Sequence, residues 1–212
     1  MRSLEWVVLD VGETLIDETR VWDIWADVLG IGRLTLAAAI GATIAVDDHY
    51  LTMFDVLRVP DWRSRIPEVE RRFGGFQAAD LYPDALRSIE ALRDRGLRLG
   101  IVANQPASRT AELRSIGVDV EVMAMSDELG VAKPDPAFYA RVLELLGDPE
   151  PAAVAYVGDR VDNDVLPSRT AGLRAIWIRR GPWGAIQSLP DPAAADLVVS
   201  SLDELVARID EL

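Results

Sequence analysis

The chain contains no cysteine among its 212 residues, so disulfide bonds, thiolate nucleophiles and cysteine-ligated metal sites are excluded. It also lacks a long hydrophobic run: the longest apolar stretch, residues 34–46, is shorter than the ~20 residues of a membrane-spanning helix. Residues 1–10 show no basic region followed by an apolar run, the pattern typical of a secretory signal. We therefore expect a cytoplasmic protein with no membrane partner.

Positive charge is scarce. Lys and Arg total 22 against 35 Asp and Glu, which gives a formal net charge of −13 at pH 7. This charge repels nucleic-acid backbones, so we expect no nucleic-acid partner. An anionic substrate would also be repelled, so a phosphate site needs local positive potential from a metal ion, a lysine or backbone amides. Lys133 is the only lysine, which suggests a role for a compact ammonium group.

Strand and helix signals alternate along the second half of the chain. Such alternation, with helices of normal length, indicates right-handed crossovers and a parallel sheet. We therefore predict an α/β fold with a Rossmann-like, doubly wound parallel sheet. The predicted strands are 7–9, 98–102, 120–125, 153–157, 174–178 and 197–199, and the predicted helices between them are 84–95, 107–115, 135–146 and 162–171.

Residues 18–80 carry little strand signal. Val21, Ile24, Trp25 and Val28 recur at the three-to-four spacing of a helix. We predict that this stretch, called the cap segment below, forms a helical cap subdomain inserted into a core of residues 1–17 and 81–212. The sequence is compatible with a monomer and with a homodimer.

Polar residues follow the predicted strands where each strand ends. They are Asp10, Asn104, Asp159 and, after a loop, Lys133. Ligands of open parallel sheets bind beyond the carboxyl ends of the strands. We expect these four side chains to converge on one site.

The polar strand ends stand in motifs that resemble those of the haloacid dehalogenase-like hydrolases. Residues 7–15 resemble the nucleophile motif of that family, and residues 101–104 resemble its second motif. Lys133-Pro134 resembles the lysine motif, and residues 158–164, followed by Ala171-Gly172, resemble the acidic motif. The resemblance runs from residue 5 to about 183, with an insertion where the family has a helical cap.

The resemblance implies a magnesium-dependent phosphatase that acts on a small phosphorylated metabolite. Asp10 would attack phosphorus and form an aspartyl-phosphate, and Lys133 would balance charge between Asp10 and the phosphate. The implied substrate-side residues are Asn104, as a donor to the phosphate, and Thr14, which would orient the nucleophile loop. The implied ligands of Mg²⁺ are Asp10, the carbonyl of Gly12, Asp159 and Asp164.

Two positions depart from the family pattern. Gly12 stands where phosphatases of this kind usually have a second aspartate, the general acid and base, and such groups are worth ~10²–10⁴ in rate. Glu13 and Asp17 are the nearest candidate replacements. Ala103 stands where a hydroxyl residue donates to the phosphate, so Asn104 or the backbone amides at 106–108 would have to supply that donor.

These departures leave alternatives open. One is a binding or regulatory protein that retains the metal and phosphate site but has lost efficient catalysis. Another is a haloacid dehalogenase, whose motif also lacks the second aspartate. Dehalogenases of the family need no metal, whereas Asp159, Asp162 and Asp164 would place uncompensated negative charge near an anionic substrate. The identity of the substrate and of the general acid and base is not encoded in these motifs.

Overall fold

Six parallel strands form one sheet at the centre of the computed structural model, which describes residues 4–46 and 49–212. The sheet order is β3-β2-β1-β4-β5-β6, so the chain winds outward from a central strand in one direction and then returns to its other side. The predicted doubly wound α/β sheet is confirmed. In chain order the strands are β1 (Trp6–Leu9), β2 (Arg98–Ala103), β3 (Val122–Met125), β4 (Val154–Gly158), β5 (Arg174–Ile178) and β6 (Leu197–Val199).

Helices connect the strands and cover both faces of the sheet. Between β1 and β2 lie α1 (Thr19–Leu29), α2 (Arg33–Ala45), α3 (Met53–Val56), α4 (Ile66–Phe73) and α5 (Ala85–Asp94). After β2 follow α6 (Arg109–Ser115), α7 (Ser126–Leu129), α8 (Pro136–Leu145), α9 (Leu166–Thr170), α10 (Gly181–Ile186) and α11 (Leu202–Arg208).

The central strand β1 is buried on both sides. Val7 and Leu9 pack into one core layer, whereas Trp6 and Val8 pack into the other. All four residues are at most 1% exposed. A strand buried on both faces is expected at the centre of a parallel sheet that helices cover on both sides. The chain therefore leaves β1 between two neighbouring strands.

The helix predicted at 162–171 differs from the structure in its first half. A π-helical turn, Val161–Val165, occupies that half, and α9 follows it. Pro167 has no amide hydrogen to donate to the carbonyl of Asn163, and the hydroxyl of Tyr139 donates to that oxygen at 2.5 Å instead. π-helical turns are frequent at functional sites, and this one carries the acidic motif.

The chain enters and leaves the cap segment at two neighbouring points. Ile16 and Leu81 form an antiparallel bridge, and the amide of Asp17 donates to the carbonyl of Asp80 at 2.8 Å. Arg20 of α1 donates to both carboxylate oxygens of Asp80, at 2.7 and 2.5 Å. The two ends of the cap segment are thus fixed together, while the division of the chain into core and cap remains a prediction.

An aromatic cluster holds the helices of the cap segment together. The rings of Phe54 and Trp62 stack with centroids 4.3 Å apart, and Trp25 contacts them at 5.1 and 6.0 Å. Trp183 of α10 belongs to the same buried cluster, so a residue that follows β5 is joined to these helices.

In residues 4–46 and 49–212, no single helix has both the length and the apolar character needed to cross a membrane. The helices α1 and α2 meet those criteria only when they are taken together, and a bend of 113° separates them.

We predict that Phe54→Ala lowers the free energy of unfolding by ~3–5 kcal/mol, because it removes one ring of the stacked pair and leaves a cavity against Trp62 and Trp25. Phe54 is 1% exposed, whereas Leu34 of α2 is 84% exposed, so Leu34→Ala is the control and should change stability by less than ~0.5 kcal/mol. Urea unfolding of both variants measures the difference. Equal stabilities of the two variants would contradict the burial of Phe54 in the aromatic cluster.

Candidate active site

Asp10 and Asp159 lie on either side of the point where the sheet reverses its strand order. Asp10 directly follows β1, and its amide donates to the carbonyl of Val157 at 2.9 Å. Asp159 directly follows β4, and its carbonyl accepts the indole N–H of Trp177 at 2.8 Å. The two aspartates are 8% and 2% exposed. Because ligands of open α/β sheets bind at such a reversal, these two carboxylates mark the candidate site.

Asp164 reaches the same place from the π-helical turn. A Cβ atom on Gly158 would lie 2.3 Å from the carboxyl carbon of Asp164, so a side chain at the end of β4 would displace it. The Oδ2 of Asp164 accepts the amide hydrogen of Arg160 at 2.9 Å, and the residue is fully buried. The glycine of the acidic motif is therefore required for space.

Lys133 is in contact with two of the acidic residues. Its Nζ lies 2.8 Å from Asp10 Oδ1 and 2.6 Å from Asp164 Oδ1. Asn104, which follows β2, fixes the loop: its Nδ2 donates to the carbonyl of Lys133 at 2.9 Å, and its Oδ1 accepts the amide of Lys133 at 2.8 Å. Burial lowers the pKa of Lys133, but the two carboxylates raise it more, so the pKa lies above its usual range. The lysine is therefore charged.

The acidic residues together fit a divalent cation. Asp10, Asp159 and Asp164 each offer one oxygen, and these oxygens lie within 4.8 Å of one another. A single ammonium group cannot balance three carboxylates, and among the described residues Asp159 Oδ2 is buried without a hydrogen-bond partner. Burial and the charges of Asp164 and Asp10 raise the pKa of Asp159 well above its usual value. Burial also raises the pKa of Asp164 to about 6, although Lys133 opposes it. Magnesium prefers such hard oxygen ligands.

The other predicted residues occupy different environments. Gly12 and Asn104 line the same cleft as Asp10, but both ends of the Asn104 amide are already bonded to Lys133. Thr14 does not line the cleft: it is fully buried, and its carbonyl accepts from Arg180 at 2.9 Å. Its hydroxyl oxygen has no hydrogen-bond partner in the part of the chain that the structure describes. The substrate-side roles of Asn104 and Thr14 remain predictions.

A cleft of about 630 Å³ opens in front of Asp10. Trp22 and Tyr50 of the cap segment form part of its wall, together with Trp183 and Arg160. The guanidinium carbon of Arg160 lies 4.9 Å from the ring centre of Trp183. A cleft of this size, with aromatic side chains and many charged groups in its wall, is suited to a small, charged organic molecule.

Glu18, at the start of α1, also lines the cleft, although no motif marks it. A Cβ atom on Gly12 would lie 2.6 Å from Glu18 Oε1. Burial, followed by the charges of Glu13 and Asp10, raises the pKa of Glu18 to about 8. A polar residue next to a helix start is an ordinary sequence feature, so only the three-dimensional position distinguishes Glu18.

Glu13 and Asp17, the nearest candidate replacements for the missing second aspartate, are held by other groups. Glu13 accepts from the hydroxyl of Tyr82 at 2.5 Å and from the amide of Glu18 at 3.1 Å. Asp17 accepts the amide of Thr19 at 2.8 Å and does not line the cleft that contains Asp10. Asp17 therefore lies outside the cleft, whereas Glu13 lines it with both carboxylate oxygens already hydrogen-bonded.

Comparison with known proteins gives a family match over most of the chain. Residues 4–172 match the haloacid dehalogenase-like hydrolases. A glyceraldehyde 3-phosphate phosphatase from Methanopyrus kandleri is 31% identical over 62% of this chain and 57% of its own length. A phosphoserine phosphatase from Thermus thermophilus is 35% identical over 59% of this chain and 49% of its own length. The chain thus matches about half of the length of these curated relatives.

Solved structures show the same fold at low sequence identity. A HAD-hydrolase from Bacillus subtilis, solved bound to magnesium, superimposes with a TM-score of 0.73 at 18% identity, covering 99% of this chain and 100% of the other. An L-2-haloacid dehalogenase from Xanthobacter autotrophicus gives a TM-score of 0.67 at 20% identity, covering 99% of each chain. These likenesses concern the fold alone, which phosphatases and dehalogenases share.

We predict that Asp159→Asn raises the melting temperature of the metal-free protein at pH 7.5. An acid whose pKa is higher in the folded than in the unfolded state loses folding free energy as pH rises through that interval, and asparagine removes this loss. A gain of ~1 kcal/mol corresponds to ~2–4 °C in a chain of this size. Thermal unfolding in a chelator measures the shift, which should shrink at acidic pH.

In added MgCl₂ the wild type should have the higher melting temperature, because the ion is expected to stabilise the wild type and not the variant that lacks one ligand. Asp94→Asn, at an exposed position on α5, is the matched control and should leave both measurements unchanged. If Asp159→Asn is less stable than the wild type in chelator, the carboxylate of Asp159 does not carry the uncompensated charge that the prediction assumes.

Proposed function

The chain belongs to the haloacid dehalogenase-like hydrolase family, and from that premise we propose that it is a magnesium-dependent phosphatase acting on a small phosphorylated metabolite. The observation that carries the proposal is the buried contact of one ammonium with two carboxylates. Lys133 Nζ lies within 2.8 Å of Asp10 and within 2.6 Å of Asp164. This arrangement places a cation beside a carboxylate at the floor of a cleft, as transfer of an anionic group requires.

The acidic residues support a resident metal ion. Asp10, Asp159, Asp164 and the carbonyl of Gly12 would hold magnesium, and the buried Asp159 Oδ2 without a hydrogen-bond partner among the described residues is consistent with a ligand position. When bound, the ion would neutralise charge on the phosphoryl oxygens.

Asp10 would act as the nucleophile. One carboxylate oxygen attacks phosphorus, the bond from phosphorus to the leaving oxygen breaks, and an aspartyl-phosphate forms. Lys133 offsets the charge of Asp10 before the attack and can donate to a phosphoryl oxygen during it. Asn104 acts on the same step indirectly, because it fixes the main chain of Lys133. Water then attacks phosphorus, releases inorganic phosphate and regenerates the Asp10 carboxylate.

The size and charge of the cleft support a small substrate. Its volume of about 630 Å³ accommodates a metabolite rather than a macromolecular strand, and the formal net charge of −13 opposes nucleic acid. The relatives named above act on glyceraldehyde 3-phosphate and phosphoserine, as their names state, and both are small phosphorylated compounds. Aromatic residues at the cleft wall would contact the organic part.

A binding or regulatory protein is the second candidate function. The observation that favours it is the pair of changes at Gly12 and Ala103, since Ala103 is fully buried and offers no hydroxyl to a phosphate. Such a protein would bind a phosphorylated ligand without hydrolysing it. The dehalogenase alternative is disfavoured by the three carboxylates that face a single lysine, because they would repel a carboxylate substrate.

We expect magnesium-dependent phosphate release from at least one member of a panel of sugar phosphates, triose phosphates, phosphoserine and nucleoside monophosphates. Asp10→Asn should lower this activity by ~10³-fold or more, because it removes the nucleophile. Excess chelator should abolish release, and magnesium should restore it. Phosphate assays across the panel measure all three effects.

Asp94→Asn serves as the matched control and should keep full activity, because it lies exposed on α5. Absence of release across the panel, together with a rise in melting temperature on ligand addition, would favour the binding protein. Halide release from a 2-haloacid in the presence of chelator would instead identify a dehalogenase.

A further inference from the structure

The carboxyl group of Glu18 occupies the space beside the nucleophile loop that a side chain at position 12 would need. A Cβ atom on Gly12 would lie 2.6 Å from Oε1, 3.0 Å from Cδ and 3.5 Å from Oε2 of Glu18. All three distances involve the end of one side chain, so the whole carboxyl group lies over Gly12. Both residues line the cleft that contains Asp10.

The backbone does not explain why position 12 is glycine. Gly12 is absent from the residues of the described chain that have a positive φ, so its conformation is open to any amino acid. Its contact with Glu18 is the close approach that a side chain would obstruct. The carboxyl group of Glu18 therefore occupies the space that glycine leaves at this position.

The other acidic residues of the cleft wall have fixed partners. Glu70 pairs with Arg109 at 3.3 Å, and Asp162 pairs with Arg160 at 2.5 Å. Glu13 accepts from Tyr82 and from the Glu18 amide. Among the described residues Glu18 has no ion pair, and its carboxyl group has a hydrogen-bond contact with the side chain of Gln105. Glu18 thus places a carboxyl group in the wall of the cleft that contains Asp10, directly beside the nucleophile loop.

Hydrolysis of a phosphate ester requires such a group. The leaving oxygen of an alkyl ester departs as a strongly basic alkoxide unless it receives a proton, and the later attack of water requires a base. Asp10 is the nucleophile of the proposed function, and Asp159 and Asp164 lie in the candidate metal site. These three residues therefore have other roles in the proposed mechanism and are not the proton carrier.

We propose that Glu18 is the proton carrier of this enzyme and performs from α1 the task that a side chain at position 12 cannot perform. The proposal rests on the proposed phosphatase function. It adds a catalytic residue from the cap segment to a site whose other acidic residues follow strands of the sheet.

Glu18 donates one proton in the first chemical step and accepts one in the second. In the first, Asp10 bonds to phosphorus, the ester bond breaks, and the Glu18 carboxyl gives its proton to the leaving oxygen, which departs as an alcohol. In the second, the Glu18 carboxylate takes a proton from water while the water oxygen bonds to phosphorus and the bond to Asp10 breaks. Glu18 ends protonated, Asp10 ends as a carboxylate, and inorganic phosphate leaves.

The test compares two leaving groups in Glu18→Gln, which keeps the size of the side chain. With the alkyl phosphate that the wild type hydrolyses fastest, kcat should fall by ~10²–10⁴-fold. With p-nitrophenyl phosphate the leaving group needs no proton, so a rapid burst of about one equivalent of p-nitrophenol should remain, followed by slow turnover. The burst also shows that the variant is folded and that Asp10 still attacks.

A second pair of variants tests whether a carboxyl group at position 12 can replace that of Glu18. Glu18→Ala should lose activity on the alkyl phosphate, and Gly12→Asp in the Glu18→Ala background should recover part of it, because the vacated space admits a side chain at position 12. Glu90→Gln, exposed on α5, is the control for loss of a glutamate charge.

Each outcome has a defined meaning. Activity of Glu18→Gln within ~3-fold of the wild type on the alkyl phosphate would overturn the assignment of Glu18 and leave the phosphatase intact. Loss of the burst would also overturn it, because Glu18 would then be needed for the attack or for folding. A wild type that hydrolyses neither substrate would instead refute the proposed function, and the assignment of Glu18 with it.

Discussion

The contact of one lysine with two buried carboxylates is the constraint on which the site depends. Lys133 supplies one positive charge where Asp10, Asp159 and Asp164 bring three negative ones. Removing such charges from water carries a penalty that only close pairing offsets, so each side chain needs a fixed place. Asn104 fixes Lys133 through two main-chain hydrogen bonds.

The rest of the sheet edge supports that arrangement. Gly158 leaves room for the Asp164 carboxyl, and Tyr139 donates to the main chain of the π-helical turn that carries it. Fully buried strands beneath the site provide the hydrophobic stability that offsets the unbalanced negative charge. A site with residual negative charge is less stable without a cation, and the same charge makes it a cation-binding site. Stability and metal affinity are therefore opposed in these residues.

The cap segment completes the cleft from the other side. It is fixed to the sheet where Ile16 and Leu81 bridge, and its aromatic cluster includes Trp183, which follows β5. Through these contacts α1 is held so that the carboxyl of Glu18 lies over Gly12. The glycine at position 12, which looks like a lost catalytic group in the sequence, becomes the space that a group from another element fills.

The sequence by itself determined the parallel sheet and the residues at its carboxyl edge. Alternating strand and helix signals are local, and the ends of parallel strands must meet at one edge, so Asp10, Asn104, Lys133 and Asp159 could be predicted to converge. The π-helical turn could not be predicted, because it depends on how Tyr139 of a different helix meets the carbonyl of Asn163.

Only the tertiary structure decided which groups surround those residues. The Asn104 amide holds the main chain of Lys133, a contact that the sequence does not predict, since the distance between two loops is not encoded in either loop alone. Its role toward a substrate stays a prediction. Glu18 stands one residue after Asp17 and carries no motif, and its position follows from the packing of α1 against the other helices. Local sequence patterns specify secondary structure, whereas side-chain proximity between elements depends on the packing of the whole fold.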